Sequence, residues 1–96
     1  MFEVVQTDEF EKWLDGLRDR QAQKIIARRV VRMASGLLGD AKPVGEGVSE
    51  ARIDHGPGYR LYFVQRQQVV IILLCGGDKS SQVRDISRAK EMTKEL

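Results

Sequence analysis

The sequence contains a single cysteine and no long hydrophobic run. Cys75 cannot form an internal disulfide, and its place in the most apolar segment is typical of a small buried hydrophobe. That segment, Val69 to Cys75, is the longest apolar run and is far too short to span a bilayer. Because the first residues also lack the basic and apolar regions of a signal peptide, we expect a cytoplasmic location and no contact with a membrane.

Motifs for nucleotides and metals are also missing. No dinucleotide-binding or P-loop pattern is present, although Gly76-Gly77 and the helix start that follows could bind an anion through backbone N–H groups. We predict no metal or thiol chemistry at Cys75 and no cofactor. No internal repeat or low-complexity segment divides the 96 residues, and this length suits one core, so residues 1–96 are predicted to form one domain.

Charge is unevenly distributed along the chain. The net charge is only +2, from 16 basic and 14 acidic residues, so the total by itself does not indicate a nucleic-acid-binding protein. Acidic residues are frequent near the N-terminus, whereas basic residues follow in quick succession: Arg18, Arg20, Lys24, Arg28, Arg29 and Arg32. Of these, Lys24, Arg28 and Arg32 recur every four residues and should form a basic ridge along one helix. Such a ridge is either a solvated face or a contact for a polyanion.

Hydrophobic spacing predicts two helices after a short first strand. Phe2 to Gln6 is predicted as a strand that could lie at a sheet edge. A capping-box pattern begins at Asp8, so a first helix is predicted from Asp8 to about Leu17. Asp19 can cap a second helix that ends near Gly36, with the apolar stripe Ala22, Ile25, Ile26, Val30, Met33 and Leu37. The two helices should form a hairpin.

The second half of the chain predicts strands and a last helix. Residues 39–47 contain Gly, Pro and Asp and are predicted to be a surface loop. Two alternating segments, Ser49–Asp54 and Tyr59–Val64, flank the turn sequence His55-Gly56-Pro57-Gly58 and should pair as an antiparallel hairpin. Val69–Cys75 is apolar on both faces, as expected of a central strand. Ser80 or Ser81 can cap a final helix with inward residues Val83, Ile86 and Ala89. The predicted order is βααβββα in a single α+β domain.

The register of the hairpin follows from the requirement that one of its faces be buried. We predict that Ala51 and Ile53 share this face with Leu61 and Phe63, and that Ile53 pairs with Leu61. Arg52 then opposes Tyr62 and lies diagonal to Arg60. Two guanidinium groups beside an aromatic hydroxyl suit a phosphate and its adjacent base. The alternative is a solvated face on which Asp54 and Arg60 form an ordinary cross-strand salt bridge.

Two stretches of the chain carry a family resemblance. The first is Ile53-Asp54-His55-Gly56-Pro57-Gly58-Tyr59-Arg60-Leu61-Tyr62-Phe63, and the second is Leu73-Leu74-Cys75-Gly76-Gly77-Asp78-Lys79-Ser80-Ser81-Gln82, continued by Asp85-Ile86 and Ala89-Lys90. In these motifs, and over nearly the whole chain, the sequence resembles the HigB-like killer proteins of the RelE/ParE superfamily. The resemblance implies a RelE-like α+β fold, with a small, mainly antiparallel sheet, a helical hairpin on one face, a C-terminal helix, and a site on the other face.

The resemblance also implies a function. It is that of the toxin in a type II toxin-antitoxin system, a metal-independent, ribosome-associated mRNA endonuclease that inhibits translation. A cognate antitoxin, expected to be a helix-turn-helix HigA-like protein, would neutralise it. In RelE-type nucleases the ribose 2′-hydroxyl is thought to be the nucleophile, with basic residues offsetting phosphate charge. Arg60 would bind the phosphate, and Lys79 would stabilise transition-state charge or transfer a proton.

This chain lacks one catalytic feature of several RelE nucleases, a tyrosine or histidine after Phe63. Tyr62 or His55 would replace the missing group. The predicted RNA-binding residues are Arg52, Arg60, Lys79, Lys24, Arg28 and Arg32, and the last three could meet ribosomal RNA or an acidic segment of the antitoxin.

Plainer alternatives exist for the residues and for the function. Lys79 could point to water from a strand-to-helix turn that Asp78 caps, and His55 could be a solvated turn residue. The whole protein could instead inhibit DNA gyrase by binding, as ParE-like proteins do, or be an inactive interaction domain.

Overall fold

A computed structural model describes residues 1–96, and it contains one five-stranded sheet with helices on both faces. In chain order the elements are β1 (Glu3–Gln6), α1 (Asp8–Asp15), α2 (Arg20–Ala34), β2 (Ala41–Gly45), β3 (Val48–Ile53), β4 (Tyr59–Arg66), β5 (Val70–Gly77), a 3₁₀ turn (Lys79–Ser81) and α3 (Gln82–Thr93). The strand order is β1-β5-β4-β3-β2, and only the β1–β5 pair is parallel. The predicted α+β class and mainly antiparallel sheet are therefore confirmed. None of the helices could span a lipid bilayer.

The segment 39–47 does not form the predicted loop. Ala41–Gly45 is strand β2, which pairs antiparallel with β3 at the edge of the sheet. The prediction was wrong because an edge strand needs few apolar residues and tolerates Pro43, whose missing N–H can face away from its neighbour. The pairing shifts between Pro43 and Gly45, which further weakens the alternation in the sequence. The element order is accordingly βααββββα.

The helix ends follow local capping chemistry. Asp19 accepts hydrogen bonds from the backbone N–H groups of Gln21 and Ala22, as predicted for α2. For α1 the predicted cap at Asp8 was wrong, because the Thr7 hydroxyl accepts from the Phe10 N–H and Asp8 lies in the first turn. Helix α2 ends at Ala34, before Gly36 at a φ of +89°, so Leu37 leaves the predicted apolar stripe and is 64% exposed.

The two faces of the sheet bury separate clusters. Helices α1 and α2 pack on one face, where the buried side chains include Phe10, Ile26, Met33, Leu61, Phe63 and Leu73. Helix α3 packs on the opposite face, where they include Tyr62, Val64, Leu74, Ala89 and Met92. The helical hairpin on one face is confirmed, but α3 covers much of the face expected to be open. Val83 was wrongly predicted to point inward, since it is 83% exposed and Asp85 is buried instead.

Gly77 allows the start of α3 to lie directly against the end of β5. A Cβ atom at residue 77 would overlap the Asp85 carboxylate and would lie 2.8 Å from the Ser81 Oγ atom. We expect Gly77→Ala to lower the free energy of unfolding by about 2–3 kcal/mol, because overpacking at a buried contact forces the helix away. Chemical denaturation would measure this loss. The control is Gln65→Ala on the exposed end of β4, and an equal, small effect of both substitutions would contradict the prediction.

Candidate nucleic-acid interface

The β3–β4 hairpin brings Arg52 and Arg60 side by side. Arg52 pairs directly with Arg60 and Glu50 with Tyr62, whereas we had predicted that Arg52 opposes Tyr62. The predicted register was wrong by two residues because side chains alternate with a period of two, so an even shift leaves every residue on its expected face. The face itself was predicted correctly. Arg52 and Arg60, called here the arginine pair, share it with Glu50 and Tyr62.

The carboxylate of Glu50 lies at the centre of this face and is completely buried. Its Oε1 atom accepts a hydrogen bond of 2.9 Å from Arg60 Nη1 and lies 3.6 Å from Arg52 Nε. Its Oε2 atom accepts from the Tyr62 hydroxyl at 3.1 Å and from Gln82 Nε2 at 2.8 Å. Arg60 therefore pairs with Glu50, and the cross-strand salt bridge with Asp54 that we gave as the alternative does not form.

Electrostatics keeps this cluster charged. Burial by itself raises the pKa of Glu50, but hydrogen bonds from Gln82 and Tyr62 and the charge of Arg60 outweigh it, so the pKa lies below its usual value. For Tyr62, burial and then the neighbouring Glu50 charge raise the pKa well above its usual value. At neutral pH, Glu50 is an anion and Tyr62 a neutral donor.

Tyr62 does not lie on an open surface. It was predicted to lie beside the arginines where a base could stack, yet its side chain is 0% exposed and packs in the α3 cluster. The prediction failed because the sequence did not indicate that α3 covers this part of the sheet. In this structure Tyr62 orients Glu50 and has no free face for a substrate.

The arginine pair lines a hollow of about 280 Å³ at the turn end of the hairpin. We call it the arginine hollow; its other lining residues are Asp40, Ile53, Asp54 and Gly58. The side chain of Arg52 is 39% exposed and that of Arg60 is 11% exposed. A small ligand can therefore approach both guanidinium groups from one side, with Glu50 behind them.

Lys79 lies at the same end of the sheet as the arginine hollow. Gly77, two residues before it, pairs with Arg60, and a Cβ atom at Gly58 would lie 3.6 Å from the Lys79 Cβ. Lys79 is exposed and forms no ion pair. Asp78 caps the turn by accepting from the Ser80 N–H, as our plainer alternative predicted. Lys79 is not among the residues that line the arginine hollow, and it borders a separate hollow at the start of α3 together with Ser80 and Arg84.

His55 contacts α2 rather than the arginine hollow. Its Nε2 atom lies 2.9 Å from Asp19 Oδ2, and this hydrogen bond is the largest of the contributions that lower the pKa of Asp19. Because Asp19 also caps α2, the contact joins the hairpin turn to the start of that helix. His55 is not among the residues that line the arginine hollow.

The basic ridge of Lys24, Arg28 and Arg32 is exposed along α2 and has no acidic partner within ion-pair distance. Arg28 and Arg32 line a second hollow of about 220 Å³, which shares Ile53 and Asp54 with the arginine hollow. The ridge and the arginine pair thus border one continuous surface, interrupted by the carboxylate of Asp54. A polyanion longer than one phosphate could contact both.

Three supporting residues were not identified from the sequence. Arg29 donates to the backbone carbonyl oxygens of Leu38, Asp40 and Arg52, at 3.0, 2.8 and 2.8 Å, which fixes the Arg52 end of β3 against α2. Glu50 and Gln82 are the other two. The alternation in β3 had already placed Glu50 on the same face as Arg52, but nothing local indicated that Gln82 would reach it from α3.

The side chains that usually bind metal ions are dispersed over the fold. No group of three or more His, Cys, Asp or Glu side chains lies close enough to hold a metal ion. Cys75 is buried, as predicted, and burial raises the pKa of its thiol to about 12. The thiol packs as a small apolar group beneath α3.

Comparison with known proteins identifies a relative in sequence and a solved structure with a similar fold. No family model matches the chain. A protein of Haemophilus influenzae described as uncharacterized is 46% identical over 87 residues, which cover 91% of this chain and 88% of that protein. The chain belongs to the same family as this protein.

A solved structure has a fold similar to that of this chain. A chain in the crystal structure of the toxin-antitoxin complex RelBE2 from Mycobacterium tuberculosis superimposes with a TM-score of 0.66, and the match covers 81% of this chain and 98% of that one. The two sequences are 18% identical over the match. The predicted RelE-like α+β fold is therefore confirmed, and at this identity the likeness concerns the fold alone.

Proposed function

We propose that this protein is a HigB-like toxin of a type II toxin-antitoxin system, and that it cleaves messenger RNA without a metal ion. The observation that carries the proposal is the arginine pair at an accessible hollow, with unpaired Lys79 at the same end of the sheet. Two guanidinium groups line a volume that accommodates a phosphate, and Lys79 lies beside Gly58 at its edge, in a separate hollow. Planar guanidinium groups suit phosphate oxygens because each can donate two parallel N–H bonds.

The chemistry follows from these groups. The ribose 2′-oxygen attacks the adjacent phosphorus, a 2′-O–P bond forms, and the bond from phosphorus to the 5′-oxygen breaks. The products are a 2′,3′-cyclic phosphate and a 5′-hydroxyl. Arg52 and Arg60 stabilise the negative charge that develops on the phosphoryl oxygens. Lys79 donates a proton to the departing 5′-oxygen or offsets its charge, and water accepts the proton of the 2′-hydroxyl.

The proposal includes partners. We propose that the RNA is cleaved on the ribosome in the cytoplasm and that a helix-turn-helix antitoxin of the HigA type binds the toxin and blocks the arginine hollow. The fold shared with a chain of the RelBE2 toxin-antitoxin complex supports such a partner. The exposed, unpaired basic ridge supports contact with either ribosomal RNA or an acidic antitoxin segment.

The deciding experiment expresses the chain alone and maps new RNA ends, while the purified protein is tested for inhibition of DNA gyrase supercoiling. We expect growth arrest and new RNA ends that carry 5′-hydroxyl groups. Gyrase inhibition without new ends would instead assign the ParE-like binding function. Normal growth with neither effect would assign an inactive interaction domain.

The basic ridge has its own expected signature in the salt dependence of binding. Each phosphate contact with single-stranded RNA contributes about 0.7 to the slope of log K against log salt concentration. Replacing Lys24, Arg28 and Arg32 together by glutamine should therefore reduce that slope by about 2, measured by fluorescence anisotropy with a labelled oligonucleotide. The matched control replaces Lys12, Arg66 and Lys94, which lie on other surfaces. An unchanged slope in the ridge variant would exclude the ridge from RNA binding.

A further inference from the structure

We propose that Glu50 is a positioning residue, which holds Arg52 and Arg60 side by side so that both bind one phosphate. This inference rests on the proposed function, and it assigns a role to a residue that the RNA itself does not touch. Glu50 is 0% exposed and lies behind the arginine pair as seen from the hollow. Burial of a charge is costly unless the charge is paired and hydrogen-bonded. The burial of the Glu50 carboxylate therefore requires an explanation.

The two carboxylate oxygens of Glu50 have different partners. Oε2 accepts only from neutral donors, the Tyr62 hydroxyl and the Gln82 amide. Oε1 faces only cations, Arg60 Nη1 at 2.9 Å and Arg52 Nε at 3.6 Å. The neutral donors on one oxygen fix the orientation of the carboxylate. The other oxygen is thereby held between the two guanidinium groups.

The arginine pair needs such an anion. Arg52 and Arg60 are direct cross-strand partners, and like charges in that relation repel one another. Glu50 offsets one of the two positive charges, so these three side chains together carry a net charge of about +1. The carboxylates of Asp40 and Asp54 also line the hollow. Glu50 occupies only one donor of the pair, Nη1 of Arg60; the Nε atoms of both arginines are buried without a hydrogen-bond partner, so the other terminal nitrogens are the donors left for a ligand.

If Glu50 is a positioning residue, its substitution should lower the rate of RNA cleavage without weakening RNA binding. Removing the negative charge of Glu50 makes the hollow more positive, so RNA should bind as tightly as before or more tightly. The arginines then lose their fixed geometry, and misplacement by about 1 Å can reduce a rate by about 100-fold. A residue that only supported the fold would lower affinity and rate together.

The test uses Glu50→Gln in the full-length protein, at a temperature where circular dichroism shows it folded. Affinity is measured with an RNA that carries a 2′-deoxy substitution at the cleavage site, and rate is measured in single turnovers at saturating protein. We expect the rate to fall at least about 10-fold with the affinity unchanged or higher. Tyr62→Phe and Gln82→Ala, which retain the charge, should give smaller falls of the same kind, whereas Gln65→Ala should give none.

Two results would overturn the inference. One is Glu50→Gln cleaving as fast as the natural protein, and the other is an equal loss of rate and affinity in Glu50→Gln, Tyr62→Phe and Gln82→Ala. If the natural protein cleaves no RNA, the proposed function fails separately, and NMR then tests the geometry. The Arg60 Nη1–H signals, which belong to the atom bonded to Glu50, should exchange slowly with water in the natural protein and quickly in Glu50→Gln. Equal exchange in both would reject the positioning role.

Discussion

Replacing Arg60 by alanine is expected to reduce RNA cleavage by about 100- to 1000-fold, the usual cost of losing one donor aimed at developing charge. Arg60 lines the arginine hollow and is fixed by Glu50, so in the proposed mechanism its guanidinium needs no reorganisation to meet a phosphate. Single-turnover cleavage of a defined RNA measures the effect. Arg60→Lys should also lose most of the rate, because an ammonium group keeps the charge but cannot donate two parallel N–H bonds.

The control for this prediction is Arg66→Ala, which removes an exposed arginine from the end of the same strand. Arg60→Ala also leaves the buried Glu50 carboxylate without its closest cation, so its stability must be measured beside its activity. The double variant Arg60→Ala with Glu50→Gln removes the unpaired charge and should recover stability without recovering cleavage. Full toxicity of a folded Arg60→Ala protein would reject catalysis at the arginine hollow and favour the gyrase-binding function.

Glu50→Ala is expected to lower the free energy of unfolding by about 3–5 kcal/mol at pH 7. The substitution leaves Arg60, whose side chain is only 11% exposed, without a compensating anion. It also removes the acceptor for the Tyr62 hydroxyl and the Gln82 amide, which join β4 and α3. The free energy of unfolding of a small domain is only about 5–15 kcal/mol, so this loss is a large fraction of it. Urea denaturation would measure it.

The destabilisation caused by Glu50→Ala should become smaller as the pH falls. The pKa of Glu50 in the folded protein lies below the ordinary value of 4.5, so its ionised form stabilises the fold above that pH. As the pH falls below 4.5 and through the folded pKa, the natural protein loses this contribution. The stability difference between the natural protein and Glu50→Ala should therefore narrow in acid. Glu11→Gln, on an exposed helix position, is the control, and a pH-independent difference would contradict the charged pair.

Helix α3 can pack on this partly charged sheet face because the buried Glu50 compensates the arginine pair. A sheet face covered by a helix would ordinarily be apolar, and much of it is, through Val64, Leu74 and Met92. Nearer the hairpin turn the cover changes from apolar contact to the hydrogen bond between Gln82 and Glu50. Helix α3 therefore holds the buried Glu50 at this end of the face, while the Arg52 side chain stays 39% exposed.

Local patterns in the sequence predicted much of the framework. Alternation assigned Ala51, Ile53, Leu61 and Phe63 to the α1–α2 side, because a strand buried on one face must repeat every two residues. The Asp19 cap and the stop at Gly36 were also predictable, since they depend on bonds within one turn of a helix. The resemblance to RelE-like proteins indicated the fold, whereas the polyanion contact inferred from the basic spacing on α2 stays a prediction.

Tertiary structure decided what the site contains. Strand β2, the hairpin register and the packing of α3 depend on contacts between segments distant in the chain, which no local spacing records. The burial of Glu50 depends on all of them, because β3 supplies the carboxylate, β4 supplies Arg60 and Tyr62, and α3 supplies Gln82. The sequence by itself determined which residues share a face. Only the folded chain determined which of them are open to a ligand, since exposure depends on what every other element covers.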